Sequence, residues 1–469
     1  MYHNPIIPGF APDPSIVRIH DTFYLVTSSF HLFPGLPIYA SKDLLAWRHV
    51  GNAITRSSQL SLAQSATKLN PGNERDGDTD KAPATGGLYA PTIRHHNGVT
   101  YIVCTNVIYT PEQDKGDWAS GLRFDNFIIS TRGEPGREEW SNPVPIDFHG
   151  IDPDLFFDDD GRAYISGSSW RPSPSCCIAC FEIEVATGRK VTEEAVLWAG
   201  VTGVIPEGPH IYKRTGTDTD GHYYLLIAEG GTHAGHCVSI ARAATIWGPY
   251  EACAQGPILP PADGAGDPSL FCQYNGHGDL VQDLSGAWWM VCLGVRRRDR
   301  AGRMVLGRET FLAAVDWAEG QVWPRIQHPV PRVLRRAVGA RINITGDAQE
   351  ACEGDDYCSL RPACPLTLKG ESAPSPLSPR TDLTETSTGV DMMNVTSSRN
   401  PRIQFRIICT EMLLHFLYRV GDLDAWGDWQ SRGLVDTLDM SGQDFTGPVI
   451  GVFAVGEGEE WCTFENVSF

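Results

Sequence analysis

Three carboxylic acids stand directly before apolar, strand-like runs in the sequence. Asp13 opens "DPSIVRI", Asp152 opens "DPDLFFD" and Glu207 opens "EGPHIYK". A single Asp-Pro pair usually marks a turn, but the repeated register indicates that the three carboxylates converge on one site. Hydrolysis of a glycosidic bond needs two carboxyl groups, because one must activate a water molecule and the other must protonate the leaving oxygen. A third carboxylate nearby raises the pKa of the acid by like-charge repulsion.

A repeated hairpin pattern predicts the elements that hold these carboxylates. Five segments place turn residues before an aromatic-rich strand with alternating apolar residues, each behind a partner strand; they begin at His20, Asn97, Asp160, Asp220 and Ser285. A second hairpin signal follows in several repeats, which gives four strands per repeat. Five such repeats predict an all-β fold, a five-bladed β-propeller over residues 1–325. A large β-sandwich, the alternative, does not predict five regular hairpins.

The propeller architecture predicts where the carboxylates lie. The first strand of each blade is nearest the axis, and its N-terminal end faces one mouth of the central channel. The residues predicted at that point are Asp13, Ala90, Asp152, Glu207 and His277. Three carboxylates and a histidine in one pocket are suited to acid–base catalysis. Glu207 has the longest reach of the three acids, which suits a proton donor.

Composition and charge exclude several classes of partner. The chain has 469 residues and a formal net charge of −19, which argues against nucleic acid or an anionic membrane as a partner, since both attract basic surfaces. No stretch approaches the ~20 apolar residues of a membrane helix, and the first residues lack a signal-peptide pattern, so a cytoplasmic location is expected, with secretion after removal of a leader as the alternative. The scattered cysteines suit a reducing compartment. The cluster Cys176, Cys177 and Cys180 has no second half with ligand spacing, so no zinc site is predicted.

Several long motifs in one order resemble glycoside hydrolase family 43, in particular its β-xylosidase and α-L-arabinofuranosidase branch. They run from "NPIIPGFAPDPSIV" through "GGLYAPTIRHHNGVTYIV", "GIDPDLFFDDDGRAYISGS" and "EGPHIYK" to "GHGDLVQD" and "LGRETFLAAVDW". The resemblance implies a five-bladed propeller and hydrolysis with inversion. It implies that Asp13 is the general base, Glu207 the general acid, and Asp152 the residue that modulates the pKa of the acid and orients it. An inverting acid and base lie about 6.5–9.5 Å apart, which leaves room for water.

The same motifs imply residues that bind the sugar. Phe30 in "TSSFHLFPG" and Tyr89 in "GGLYAP" match aromatic residues that wall the pocket, with core packing as the alternative for each. Arg308 in "LGRET" matches an arginine that contacts sugar hydroxyls, with an ion pair to Glu309 or another acid as the alternative. His277 matches a central histidine near a bound calcium ion or water, or it is a hydrogen-bonded core residue. No cofactor is required, and no set of ligands has the spacing of a metal site.

The resemblance also implies a concanavalin-A-like β-sandwich after the propeller. Residues 326–345 are predicted to form a linker and residues 346–469 a reduced sandwich. The Ser, Thr and Pro content near residues 370–400 predicts disorder within it. The remaining strand-like segments are few for a complete sandwich.

Three functions remain open at this point. The first is an inverting exo-glycosidase that removes terminal β-D-xylosyl residues from xylo-oligosaccharides. The second is an α-L-arabinofuranosidase, or a bifunctional enzyme, acting on arabinose-substituted oligosaccharides, because the two sugars present similar hydroxyl groups to a pocket. The third is a carbohydrate-binding propeller without activity. Loss of one carboxylate would favour that third function, but all three are present.

Overall fold

The computed structural model describes residues 2–62, 64–65, 67–69, 83–109, 122–170, 176–214, 221–232, 235–261, 271–296, 306–333, 402–409, 413–421, 428 and 430–436. Their regular structure consists of β-strands. No helix among them is long and apolar enough to cross a membrane. Five consecutive antiparallel sheets, four of them with four strands and one with five, form the blades of a propeller. The five-bladed β-propeller predicted from the sequence is confirmed.

The strands are numbered in chain order. A short strand, β1 (Tyr2–His3), precedes blade 1, which consists of β2 (Ser15–Ile19), β3 (Thr22–Val26), β4 (Gly35–Ser41) and β5 (Arg48–Ile54). A two-stranded sheet, β6 (Thr67–Leu69) and β7 (Pro83–Thr85), leads to blade 2, with β8 (Gly87–His96), β9 (Val99–Tyr109), β10 (Leu122–Thr131) and β11 (Val144–Ile146). Blade 3 consists of β12 (Gly150–Phe157), β13 (Ala163–Ser169) and β14 (Cys177–Glu184), and both β15 (Arg189–Lys190) and β16 (Ala195–Trp198) pair with β14.

The last two blades have the regular four-stranded order. Blade 4 consists of β17 (Glu207–Arg214), β18 (His222–Glu229), β19 (Cys237–Ala243) and β20 (Glu251–Ala252). Blade 5 consists of β21 (Gln273–Gln282), β22 (Trp288–Val295), β23 (Arg308–Asp316) and β24 (Arg325–Ile326), and β25 (Arg332–Val333) follows it. The first strand of each blade runs along the axis, as the repeat predicts.

Apolar clusters fill the interfaces between neighbouring blades. Val26 and Ile38 of blade 1 pack in one cluster with Ile102 of blade 2, and equivalent clusters join blades 2 to 3, 3 to 4 and 4 to 5. The second strand of a blade is covered on both faces, so every residue of β13 is buried and its sequence is apolar or small throughout. Burial of each large side chain contributes about 1.5–3 kcal/mol, which makes these interfaces the main support of the ring.

The N-terminal segment closes the ring against blade 5. The side chain of Asn4 accepts from the Leu312 N–H at 2.9 Å and donates to the Leu312 carbonyl at 2.9 Å. Ile7 and Thr310 exchange backbone hydrogen bonds, and the Ala11 N–H donates to the Arg308 carbonyl at 2.9 Å. This pairing fixes the chain just before Asp13 beside the start of β23.

The chain divides into two compact units, residues 1–344 with 436–449, and residues 345–435 with 450–469. Near the C-terminus, β26 (Arg402–Cys409), β27 (Leu413–Gly421) and β28 (Gln430–Asp436) form one three-stranded sheet. The predicted linker is described as far as Val333, and the segment near 370–400 lies outside the described residues. The concanavalin-A-like sandwich therefore stays a prediction.

Candidate active site

An irregularity at the same point of four inner strands positions the site. In β8, β12, β17 and β21 the pairing shifts where one extra residue bulges out of the ladder. The bulged residue has a left-handed backbone, with φ of 38° at Ala90, 55° at Asp152, 52° at Gly208 and 46° at His277, and Asp13, two residues before β2, has the same conformation with φ of 53°. A bulge re-aims the side chain that it carries. Two of the predicted carboxylates and the histidine thus leave the inner strands at equivalent points.

The predicted register of Glu207 is wrong by one residue. Glu207 pairs with Ala228 just before the bulge, at the position that Tyr89 and Ile151 occupy in blades 2 and 3, and Gly208 takes the bulged position. A proline in the first four blades gives the correct alignment, since Pro209 matches the prolines after Asp13, Ala90 and Asp152. The carboxylate of Glu207 therefore leaves the strand from a point different from that of Asp13 and Asp152.

Asp13 is held by a hydroxyl and faces two basic side chains. The Ser28 hydroxyl donates to Asp13 Oδ2 at 2.6 Å and itself accepts from the Ala90 N–H at 2.7 Å. His277 Nδ1 lies 3.8 Å, and Arg308 Nη1 4.0 Å, from Asp13 Oδ1. The side chain of Asp13 is thus fixed between blades 1, 2 and 5. Ser28 was not predicted, although a buried serine at the end of an apolar strand is a signal for such a partner.

Asp152 links the other two acids. Its Oδ2 accepts from the Gly208 N–H at 3.0 Å and lies 4.0 Å from His277 Nδ1. Burial, followed by the negative charges of Glu207 and Asp13, raises the pKa of Asp152 well above its usual range. Because Gly208 directly follows Glu207, this hydrogen bond also ties Asp152 to the backbone that carries the predicted acid.

Glu207 and His277 have pKa values displaced in opposite directions. Burial raises the pKa of Glu207 to about 7; Arg308 opposes the rise and the charge of Asp13 adds to it. Burial lowers the pKa of His277 to about 4, against the attraction of Asp13. At neutral pH the imidazole is therefore neutral, and a substantial fraction of Glu207 carries a proton. A protonated carboxyl beside two further carboxyl groups can act as a general acid.

The predicted sugar-binding residues occupy different depths. Phe30 is 2% exposed and packs between Phe10 and Tyr89, at ring-centroid distances of 5.5 and 4.8 Å. Tyr89 is partly exposed and is supported from behind by Phe30. Arg308 faces Asp13, whereas Glu309 pairs with Arg296 at 2.6 and 2.9 Å. Sugar contacts by these residues stay predictions.

Comparisons with known proteins agree with this geometry. The sequence model of the family Glycosyl hydrolases family 43 matches residues 2–323, which span the propeller. The chain belongs to glycosyl hydrolase family 43. A xylosidase/arabinosidase from Butyrivibrio fibrisolvens is 39% identical over 343 residues, 71% of this chain and 57% of that protein. A non-reducing end α-L-arabinofuranosidase from Bacteroides ovatus is 37% identical over 326 residues, 69% of this chain and 53% of that protein.

A solved family 43 structure has the same fold. The crystal structure of a xylan β-1,4-xylosidase from Bacillus halodurans is 32% identical, with a TM-score of 0.61 over 74% of this chain and 61% of that one. The chain thus spans little more than half the length of the relatives that it matches. The similarity covers the propeller and its carboxylates.

Further along the inner strands than the predicted catalytic residues, this family 43 propeller has a buried polar network that crosses its axis. Arg94 Nη2 donates to Asp154 Oδ1 and Arg94 Nη1 to Asp279 Oδ2, both at 2.8 Å. Tyr212 donates to Asp279 Oδ1 at 2.5 Å, and the Ser15 hydroxyl donates to Asp279 Oδ2 at 2.7 Å. Burial favours the neutral acid, but Arg94 overcomes this and holds the pKa of Asp279 well below its usual range. The network was not predicted from the sequence.

The expected calcium ion near His277 finds no ready set of protein ligands. Calcium takes six to eight oxygen ligands, whereas the part of the chain that the structure describes contains no group of three His, Cys, Asp or Glu side chains arranged to hold a metal ion. The cluster Cys176, Cys177 and Cys180 belongs to that part and forms no such group. No catalytic step is therefore assigned to a metal, and the calcium ion stays an expectation.

Proposed function

We propose that this chain is an inverting exo-glycosidase that removes terminal β-D-xylosyl residues from xylo-oligosaccharides. The observation that carries the proposal is the cluster of Asp13, Asp152 and Glu207, in which the pKa of Glu207 is raised to about 7. One acid in this cluster is poised to donate a proton near neutral pH, as cleavage of a glycosidic bond requires.

The three carboxylates then take separate roles. Asp13, oriented by the Ser28 hydroxyl, removes a proton from the water that attacks the anomeric carbon. Glu207 gives its proton to the leaving oxygen. Asp152 is bonded to the Gly208 N–H, and this bond orients the backbone that carries Glu207. Contacts with the sugar are assigned to Arg308, which faces Asp13, and to Tyr89, which is partly exposed.

An α-L-arabinofuranosidase, or an enzyme with both activities, is the second candidate. It is favoured by the names of two relatives, a xylosidase/arabinosidase and a non-reducing end α-L-arabinofuranosidase. The sugars differ in ring form but offer similar hydroxyl groups, so one or two contacts decide between them. Oligosaccharides that carry xylose or arabinose are the expected substrates in either case.

Hydrolysis of 4-nitrophenyl β-D-xylopyranoside beside the α-L-arabinofuranoside tests the proposal. Purified full-length chain should release 4-nitrophenol from at least one of them, and the ratio of the kcat/KM values identifies the preferred sugar. Proton NMR of the first product should show the inverted anomer, which is α-xylose from the β-xyloside. Release of β-xylose first would contradict inversion. A folded protein that cleaves neither substrate but binds xylose in calorimetry would instead be a carbohydrate-binding propeller.

A further inference from the structure

A second cavity lies between blades 3 and 4, with a volume of about 510 Å³. Blade 3 contributes Asp158, Asp159, Asp160, Arg162 and Tyr164, and blade 4 contributes Lys213, Tyr223 and residues 244–247. The turn at Asp158 follows the C-terminal end of β12, whereas the catalytic Asp152 lies near its N-terminal end. The six intervening steps span ~20 Å of extended strand. The cavity therefore opens on the face of the propeller opposite the active site.

An aromatic ring forms one wall of this cavity. Trp247 is 37% exposed, an unusual environment for so large an apolar side chain. The buried ring of Tyr164 contacts it at a centroid distance of 5.6 Å and an interplanar angle of 78°. This contact holds the indole in place while more than a third of the residue stays open to solvent. A fixed, exposed ring in a concave site is the surface on which the apolar face of a sugar packs.

The charged groups of the cavity are paired with one another. Lys213 Nζ lies 2.5 Å from Asp158 Oδ1 and 2.9 Å from Asp159 Oδ2, and Arg162 Nη2 lies 2.6 Å from Asp160 Oδ2. Both cations are engaged, so an anionic ligand gains little here. The carboxylates are likewise engaged by these cations, which disfavours a metal ion. Such a balance of charge suits a neutral ligand rich in hydroxyl groups. These hydroxyl groups can form hydrogen bonds with the carboxylate oxygens and N–H groups of the ion pairs.

We propose that this cavity is a second carbohydrate site, which binds an internal stretch of a neutral, pentose-rich polysaccharide. The class of sugar rests on the proposed function, which is the removal of terminal xylosyl residues. A polysaccharide of the same sugar held on this face would keep the protein close to further ends that it can cleave. Trp247 stacks on one sugar ring, and the charge pairs around Lys213 and Arg162 bond to its hydroxyl groups. No catalytic residue takes part.

Retention on insoluble xylan and arabinoxylan tests this site. The parent is the full-length chain with Glu207→Gln, which keeps the polymer intact, and the bound fraction is measured against polysaccharide concentration. Loss of the stacking surface in Trp247→Ala should weaken retention about tenfold, and Trp247→Phe, which keeps a ring, should restore most of it. Leu284→Ala is the matched control, because Leu284 is 61% exposed on the turn between β21 and β22, on the same face.

The outcomes separate this site from the active site. Equal retention of Trp247→Ala and the parent would place the polymer elsewhere and overturn the proposal, as would a parent that is not retained at all. Trp247→Ala as the sole substitution should hydrolyse the 4-nitrophenyl glycosides at the same rate as the unsubstituted chain. A chain that binds the polymer through Trp247 but cleaves neither aryl glycoside would support this site and refute the proposed function.

Discussion

At the scale of single residues, the surroundings of each carboxyl group separate its role from those of the others. Asp13 accepts a hydroxyl hydrogen bond from Ser28 and lies 4.0 Å from Arg308. Glu207 has a pKa raised to about 7, first by burial. The fold thus keeps a proton on a substantial fraction of Glu207 at neutral pH and fixes Asp13 through a hydroxyl group, and such different surroundings suit an acid and a base in one pocket.

Replacement of Glu207 should depend on the leaving group. Glu207→Ala is expected to lower kcat for xylobiose by about 10²–10⁴-fold, the usual contribution of a general acid, and to lower it far less for 4-nitrophenyl β-D-xylopyranoside, because nitrophenolate leaves without a proton. Asp13→Ala should abolish the cleavage of both substrates, since the water loses its base. Steady-state kinetics of the two variants on the two substrates measure this. Equal losses in all four cases would contradict separate roles.

The pH profile should show the raised pKa of Glu207 directly. The protonated form is the active one, so kcat/KM for xylobiose should fall as the pH rises through about 7, the pKa of Glu207 in the folded chain. For the 4-nitrophenyl substrate the fall should be shallower, because protonation of the leaving group matters less. Initial rates between pH 4 and 9 on both substrates measure this. A xylobiose profile that starts to fall near pH 4.5 would show an acid with an ordinary pKa.

The identity of these residues could be predicted from the sequence better than their geometry. Asp13, Asp152 and His277 were predicted at one register, and the left-handed backbone of all three agrees with it. Glu207 was predicted at the same register, but Gly208 takes that position, and the proline two residues after Glu207 marks the true alignment. Ser28 was missed because its hydrogen bond joins it to a residue 15 positions away, and the only local signal is a serine at the end of an apolar strand.

At the scale of elements, the loop that precedes Glu207 is clamped by a second glutamate. Glu229, at the end of β18, is 0% exposed, and its Oε2 accepts from the Val201 N–H at 2.9 Å and from the N–H and hydroxyl of Thr202 at 2.8 Å each. Gly200 sits so close that a Cβ there would be 2.4 Å from this oxygen. The clamp fixes the segment that leads into the acid-bearing start of β17.

Loss of this clamp should impair proton donation more than sugar binding. In Glu229→Met no oxygen remains to accept from the N–H groups of Val201 and Thr202, so the loop should shift and displace Glu207. We expect kcat for xylobiose to fall by about 10–100-fold, the effect of a misplacement near 1 Å, with a smaller loss on the 4-nitrophenyl substrate and little change in KM. The test is the ratio of kcat values for the two substrates.

Thr202→Val is the matched control for the clamp. It removes one of the three hydrogen bonds to Glu229 and keeps both backbone donors, so its effect should be a small fraction of that of Glu229→Met. An equal loss of kcat on both substrates in Glu229→Met would indicate general damage to the fold and contradict a positioning role. Glu229 was not recognised from the sequence, because a glutamate at the end of an apolar strand usually faces solvent.

At the scale of the whole molecule, two sets of contacts hold the five blades together as a ring, one at its rim and one across its axis. The rim closure, by the N-terminal segment on β23, brings Asp13 beside Arg308. The axial network joins Ser15, Arg94, Asp154, Tyr212 and Asp279, one from each of the five blades. Repeated hairpins predict five blades because that pattern is local. Polar groups that meet across the axis come from five distant segments, so no local pattern reveals their pairing.

Arg94 is the centre of this network, and its loss should destabilise the propeller. Arg94→Met keeps the length of the side chain but leaves the carboxylate of Asp279 buried without its cation, which typically costs about 3–5 kcal/mol of the free energy of unfolding. Urea unfolding followed by tryptophan fluorescence measures this. Lys42→Met is the control, because Lys42 forms an even shorter ion pair with Asp21, at 2.6 Å, on the exposed surface. The free energy of unfolding should not change in that control.

The destabilisation by Arg94→Met should also depend on pH, with a definite sign. The pKa of Asp279 in the folded parent lies below its ordinary value of 3.8, so its ionised form stabilises the parent above about pH 4, and this contribution is lost as the pH falls. In the variant the unpaired acid is relieved by protonation instead. The difference between the two free energies of unfolding should therefore be largest at neutral pH and shrink toward pH 3. A difference that stays constant with pH would show that Arg94 acts through packing alone.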